Sequence, residues 1–180
     1  MVLDEYEIKY LISKKNYERL SEIFCNRNAV TFEQTNYYYD TPDQKLRKRN
    51  ITARIREKNG NLIGVIKSHS AETIHSREIS FRVEMIANVI SYNGENLYLN
   101  GSLCTRRTEV NICDGITLML DHNRYLDVED YEMEIEYDKQ QDVAMPDRLQ
   151  AAIDEMKMLV NSQSKSERFF RRLDSLKNLC

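Results

Sequence analysis

The chain has little proline and glycine and no long apolar run. It contains 2 prolines and 5 glycines among 180 residues, a composition that fits a compact soluble fold. No apolar segment approaches the roughly 18 residues that a membrane-spanning helix needs, and the N-terminus lacks the basic start and apolar stretch of a signal peptide. We therefore expect a cytoplasmic protein with no membrane partner, folded as a single domain over residues 1–180.

An excess of positive charge and a pattern of paired cysteines are also missing. Charged residues make up 31% of the chain, yet the formal net charge is only -3, which argues against nucleic-acid binding driven by bulk positive charge. We expect no nucleic-acid partner. The four cysteines show no CxxC pairing and the three histidines share no ligand spacing with them, so a disulfide framework and a zinc site are both disfavoured.

Strands dominate the pattern that is present. Eight segments alternate polar and apolar residues with a period of two, which is typical of half-buried strands. Asn59-Gly60 separates two of these segments and indicates a type I′ hairpin, and Asp114-Gly115 is predicted to play the same role between two others. The predicted strands cover residues 3–11, 35–40, 50–57, 61–68, 75–82, 105–112, 116–121 and 130–137.

Four helices are predicted between and after these strands. Apolar residues at helical spacing favour a helix over 13–27 with Ser13 as its cap, and a second near 83–91. A third helix follows Pro146, and a fourth, basic helix covers 165–177. A largely antiparallel set of strands must protect its edges, and closure into a barrel is one solution.

Three of the strands have one face that is almost wholly charged. Residues at every second position share a face of a strand, so acids repeat on two of these faces and arginines on the third. Like charges placed in this way repel each other, which indicates that a group of opposite sign binds there. The charged faces consist of Glu5, Glu7 and Lys9, of Arg54 and Arg56, and of Glu132, Glu134 and Glu136.

The alternation alone allows two orientations of the first strand. In an ordinary half-buried strand, Tyr6, Ile8 and Tyr10 would face the core and the charges would face water. In the other orientation, helices cover the apolar side and the charges line an enclosed polar cavity. The pattern of a single strand does not decide between them.

Several segments together resemble the CYTH superfamily, the triphosphate tunnel metalloenzymes, and in particular its single-domain bacterial branch, often labelled as adenylate cyclase. The hallmark of that family is an N-terminal ExExK strand, which matches Glu5, Glu7 and Lys9. The segments that follow the family order are "QTNYYYDTPDQKL", "ARIREKNG", "VIKS", "HSREIS", "TRRTEV", "LMLDHNRYLDVEDYEMEIEYD" and "SKSERFFRR".

The resemblance implies an α+β fold: an eight-stranded antiparallel closed β-barrel, or tunnel, with a charged interior and helices packed outside. It also implies roles for individual residues. The implied metal ligands are Glu5, Glu7, Asp121, Glu132 and Glu134. The implied substrate-binding residues are Lys9, Arg54, Arg56, Lys67, Arg77, Arg107 and Lys165, and the implied catalytic set is Glu5, Glu7, Lys9, Glu132 and Glu134.

The function implied by the resemblance is metal-dependent hydrolysis of a small triphosphate, most simply inorganic tripolyphosphate, with Mg²⁺ or Mn²⁺. Arginine forks and lysine ammonium groups suit phosphate, and carboxylates suit these two metals. Two alternatives stay open: a class IV adenylate cyclase, and a module that binds polyphosphate or nucleotides without turnover. One departure bears on them, because Thr105 stands where many members of the family have a base.

Overall fold

The structure, a computed structural model, describes residues 2–25, 27–69, 75–138, 145–161 and 163–179. At residues 2–5, 69, 75 and 76 it describes only the backbone. The described residues contain nine antiparallel strands and four helices. The elements in chain order are β1 (Val2–Ile12), α1 (Lys14–Phe24), β2 (Val30–Asp40), α2 (Lys45–Lys48), β3 (Ile51–Lys58), β4 (Asn61–His69), β5 (His75–Arg82), β6 (Val89–Tyr92), β7 (Glu95–Cys113), β8 (Ile116–Tyr125), β9 (Val128–Tyr137), α3 (Asp147–Glu155) and α4 (Lys165–Lys177).

The strands form one antiparallel sheet. Their order by backbone pairing is β2-β3-β4-β5-β1-β9-β8-β7-β6, and β2 pairs with β7 in addition. The expected count of eight strands is therefore wrong, because β6 is a ninth strand at one end of this order. The additional pairing runs from Val30 opposite Glu109 to Asp40 opposite Tyr98. It connects the first strand of the order to the last but one.

Three of the four predicted helices are present, and one prediction is wrong. Helix α1 begins after Ser13, whose Oγ accepts a hydrogen bond from the backbone N–H of Asn16 at 3.2 Å, and α4 covers the predicted residues. The helix predicted near 83–91 is absent, because 89–92 form strand β6 instead. An Asn93-Gly94 turn with positive φ at both residues pairs β6 with the start of β7. None of the described helices is both long and apolar enough to cross a membrane.

The two hairpin turns predicted from the sequence differ in type. Asn59 and Gly60 both have positive φ, at 52° and 74°, and the strands pair directly beside them, as a type I′ turn requires. At the second turn only Gly115 has positive φ, and a register shift occurs just before it, between Asn111 and Cys113. This hairpin therefore contains an irregularity that the Asp-Gly signal alone did not predict.

The apolar face of β1 packs under helices, which decides between the two orientations of that strand. Tyr10 lies in a core cluster with Leu20 of α1 and Leu149 of α3, and Ile8 packs against the same cluster. Tyr131 of β9 belongs to this cluster too. Because residues alternate between faces, the charged residues of β1 and β9 lie on the opposite face of the sheet.

Helix α4 packs on the charged face, and this corrects the expectation that all the helices lie outside. Phe169 is fully buried in a cluster with Tyr38, Leu103 and Tyr125. Along their own strands, Tyr38 and Tyr125 share a face with Asn36 and Asn123, and Leu103 shares one with Thr105 and Arg107. The helix therefore covers part of the charged face, and its own charged residues Lys165 and Arg168 lie against that face.

Candidate active site in the charged cavity

A cavity of about 260 Å³ lies on the charged face of the sheet. Seven strands and the start of α4 contribute to its wall, and six of the lining residues are cations while four are carboxylates. The cavity is therefore polar and carries an excess of positive charge. Its lining residues are Glu7, Lys9, Gln34, Asn36, Thr52, Arg54, Arg56, Lys67, Arg107, Glu109, Met119, Glu134, Glu136, Ser164, Lys165 and Ser166.

Strand register brings residues of opposite charge face to face. Lys9 of β1 pairs with Glu134 of β9, and Arg107 of β7 pairs with Asp121 of β8. Directly opposed residues on one face of an antiparallel pair are close enough for their side chains to interact. Pairing of the strands thus places charged side chains of opposite sign next to each other on one face of the sheet.

Three buried carboxylates meet beside this cavity. One oxygen from each of Asp121, Glu132 and Glu134 lies within 4.8 Å of the other two, and we call this group the carboxylate trio. Asp121 and Glu132 are fully buried. Three carboxylate oxygens so close together match the ligand chemistry of Mg²⁺ and Mn²⁺, so the trio could hold a divalent metal ion.

Lys165, the first residue of α4, contacts every member of the carboxylate trio. Its Nζ lies 2.9 Å from Asp121 Oδ2, 2.6 Å from Glu132 Oε2 and 2.6 Å from Glu134 Oε1. Burial by itself would lower the pKa of Lys165, but the three carboxylates outweigh that effect and raise the pKa above its ordinary value. The ammonium group is therefore charged.

Arg107 joins the carboxylate trio to the cavity wall. Its Nε and Nη2 donate to the two oxygens of Asp121 at 2.8 and 2.7 Å, and Nη2 also contacts Glu134 Oε2 at 2.5 Å. Burial works to raise the pKa of Glu134, but Lys165, Arg107 and Lys9 outweigh it and hold that pKa well below its usual range. The carboxylate of Glu134 is accordingly ionised.

Glu7 pairs with two lysines next to the carboxylate trio. Its Oε1 lies 2.8 Å from the Nζ of Lys9 and 3.0 Å from the Nζ of Lys67. Burial and the nearby Glu134 would raise its pKa, yet the two lysines lower the pKa to about 2. Glu7 is not a member of the carboxylate trio. Glu5 lies in β1, but its side chain is outside the described part of the chain.

The arginines of β3 reach the cavity and Arg77 does not. Arg54 Nη2 lies 3.2 Å from Glu78 Oε2, and Arg56 Nε donates to Asn36 Oδ1 at 3.2 Å. Arg77 is exposed and is not among the lining residues, whereas its neighbour Glu78 is buried. The alternation of β5 therefore turns the acid inward at this point, next to Lys67 of β4.

Two residues that sequence reasoning did not assign complete the buried network. Arg168 of α4 forms ion pairs with Asp130 Oδ2 and Glu132 Oε2, both at 2.9 Å. Asp130 continues the every-second-residue series of Glu132 and Glu134, and Arg168 follows Lys165 by three positions on one helix face. Both patterns were present in the sequence, but nothing local indicated that the two series meet.

Thr105 is fully buried and has a polar partner. Its Oγ1 donates to Asn123 Oδ1 at 2.7 Å, and Asn123 Nδ2 donates to Asp130 Oδ1 at 2.9 Å. Neither Thr105 nor its neighbour Arg106 lines the cavity, and Arg106 is exposed. The threonine therefore belongs to a hydrogen-bond network that reaches the carboxylate trio through Asp130 and Arg168.

The chain is similar to a known protein family and to a named bacterial protein. The family model described as the CYTH domain matches residues 3–170. A Bacillus subtilis protein named "Putative triphosphatase YjbK" is 27% identical over 146 residues, which cover 73% of this chain and 76% of that protein.

Solved structures have the same fold. The crystal structure of a protein from Bacillus halodurans, described as a putative adenylate cyclase, superposes with a TM-score of 0.75 at 26% identity and covers 94% of this chain and 98% of its own. The Hippeastrum protein HpAC1, described as a putative adenylyl cyclase with a dominant triphosphatase activity, has a TM-score of 0.72 at 22% identity, with coverage of 93% and 95%. At that identity, the second likeness concerns the fold alone.

Proposed function

Since this chain belongs to the CYTH family, we propose that it is a metal-dependent enzyme of the cytoplasm that hydrolyses a small triphosphate, most simply inorganic tripolyphosphate. The observation that carries the proposal is the position of a cation-rich cavity directly beside three buried carboxylates. The description of the Bacillus subtilis relative as a triphosphatase supports the same reaction.

The phosphate chain would bind among the cavity cations. Arg54 and Arg56 present planar forks that suit two phosphate oxygens at once, while Lys67 on the neighbouring β4 and Lys9 on β1 act as point charges. Glu7 holds both lysines in position, because one of its oxygens accepts from each. The pairing of β2 with β7 supports a closed tunnel around such a ligand, since it joins two walls of the cavity.

The carboxylate trio is the proposed metal site, with Glu5 as a further proposed ligand and Mg²⁺ or Mn²⁺ as the ion. When bound, the ion would supply positive charge that polarises a phosphoryl oxygen and neutralises the charge that develops on hydrolysis. The protein's own contribution is orientation. Arg107 fixes Asp121 and Glu134 through three contacts and also lines the cavity, so it aligns the carboxylates with the substrate.

The composition of the wall favours an inorganic substrate over a nucleotide. Met119 is the sole apolar side chain among the described lining residues, and none of them is aromatic. Recognition of a nucleobase commonly uses stacking on an aromatic side chain, and the described wall offers none. Hydrolysis of tripolyphosphate is therefore proposed ahead of cyclisation of ATP.

Release of phosphate from tripolyphosphate and from ATP, each with Mg²⁺ or Mn²⁺, tests the proposal. We expect phosphate from tripolyphosphate, loss of activity in EDTA, and a KM raised at least about tenfold in Arg56→Met, because a charged phosphate contact is lost. The matched control is Arg172→Met. Arg172 pairs with the exposed Asp127 away from the cavity, so its replacement should leave KM unchanged.

Other products would overturn the proposal in distinguishable ways. Cyclic AMP and pyrophosphate from ATP would identify a cyclase. Tight calorimetric binding of tripolyphosphate, with no product from any triphosphate and either metal, would identify a binding module.

A further inference from the structure

A lysine side chain occupies the centre of the proposed metal site. The Nζ of Lys165 lies between 2.6 and 2.9 Å from one oxygen of each member of the carboxylate trio. A Mg²⁺ ion bound by the same three oxygens would lie about 2.0 to 2.1 Å from each of them. The ammonium group and the ion would thus need the same space, and both are positively charged. They cannot be bound there together.

We propose that Lys165 is the resident cation of the carboxylate trio and that a divalent metal ion enters the site by displacing its ammonium group toward the cavity. This inference rests on the proposed function, because it takes the trio as the metal site. It goes further, because it gives Lys165 two positions. In one it neutralises the empty acid cluster, and in the other it faces the bound phosphates.

The surroundings of Lys165 permit such a displacement. Lys165 is the first residue of α4 and already lines the cavity together with Ser164 and Ser166. Its side chain is a flexible four-carbon stem, so the ammonium group can turn while the backbone stays in place. Arg168 and the capping box of Ser164 with Glu167 hold the start of the helix independently.

The displacement would couple metal binding to substrate binding. With the metal absent, the positive charge of Lys165 is used by the carboxylate trio and is held away from the cavity centre. With the metal bound, the same charge becomes available to a phosphate group, which strengthens binding of the triphosphate. By linkage, the triphosphate would strengthen metal binding by the same factor.

Calorimetric titration with Mn²⁺ in the absence of substrate tests the inference without relying on activity. We expect Lys165→Met to bind Mn²⁺ at least about tenfold more tightly than the wild-type protein, because the competing charge beside three carboxylates is removed. The control is Arg172→Met, on the same helix but in an exposed pair with Asp127, which should bind Mn²⁺ as the wild type does. An unchanged or weakened Mn²⁺ affinity in Lys165→Met would overturn the inference.

Amine footprinting of the wild-type protein provides a measurement that needs no variant. Lys165 should react slowly with an acylating reagent in the absence of metal and at least about threefold faster with saturating Mn²⁺, while the exposed Lys177 of the same helix reacts equally in both conditions. Continued protection of Lys165 at saturating Mn²⁺ would overturn the inference.

The failures of the two proposals are distinguishable. Equal Mn²⁺ binding by the wild type and Lys165→Met contradicts only the displacement and leaves the proposed hydrolysis standing. Absence of Mn²⁺ binding in both proteins removes the metal site itself, and with it both the displacement and the metal-dependent reaction.

Discussion

Replacement of Arg168 by methionine should strongly destabilise the protein. The side chain is 7% exposed, and its guanidinium contacts Asp130 at 2.9 and 3.2 Å and Glu132 at 2.9 and 3.4 Å. Removal of one partner from a buried ion pair leaves an uncompensated charge and costs about 3 to 5 kcal/mol. In Arg168→Met, Asp130 loses its cation and the fully buried Glu132 keeps only Lys165, so we expect a loss in the free energy of unfolding within that range.

A loss of this size is well within reach of a standard unfolding experiment. For a chain of 180 residues, each kcal/mol lowers Tm by about 2 to 4 °C, so a fall of about 10 °C is expected. Urea titration at neutral pH gives the free energy of unfolding directly, and Arg172→Met is the matched control, since its partner Asp127 is exposed. If Arg168→Met unfolds at the same urea concentration as the control, the buried pairs do not stabilise the attachment of α4 and the reasoning fails.

Two further perturbations test the charge assignments and the packing. The pKa of Glu7 is about 2 and that of Glu134 is also depressed, so the stability that both carboxylates contribute is present above pH 4.5 and is lost as the pH falls toward 2. The free energy of unfolding of Glu7→Gln should therefore fall less steeply between pH 4.5 and 2 than that of the wild type. Parallel curves of unfolding free energy against pH would contradict the assignment. Among the described residues, the buried hydroxyl of Tyr38 has no hydrogen-bond partner, so Tyr38→Phe should leave the urea midpoint of unfolding unchanged or raise it. A loss of more than about 1 kcal/mol in the free energy of unfolding would contradict this, because it would reveal a partner.

Much of the fold could be predicted because its signals are local. Period-two alternation defined the strands, and the positive φ that Asn59-Gly60 tolerates set one hairpin. The segment 89–92 was assigned wrongly because an apolar run of that length fits either a helix or a strand. Its state is decided by pairing with β7 and by packing of Ile90 against the cluster around Leu97, and neither contact is visible in the segment itself.

The site was predicted less completely than the fold. The alternation grouped Glu7 with Lys9 on one strand and Glu132 with Glu134 on another, but it could not say which carboxylates would meet. That depends on the register between β7, β8 and β9, which brings Asp121 opposite both Arg107 and Glu132. The reach of Lys165 into this group depends on how α4 docks. Arg77 is exposed and Glu78 is buried, because a shift of one residue along a strand reverses which side chain points inward.

The docking of α4 gives a physical reason for the threonine at position 105, where the family resemblance implies a base. A cation at that position would be buried beside Asn123 and Asp130, but the charge of Asp130 is already matched by Arg168. A second buried cation there would lack an acid of its own and would be costly. Thr105 instead donates to Asn123 and lies outside the cavity lining. The threonine therefore leaves the six lining cations of the cavity in place, and Arg168 of α4 neutralises Asp130.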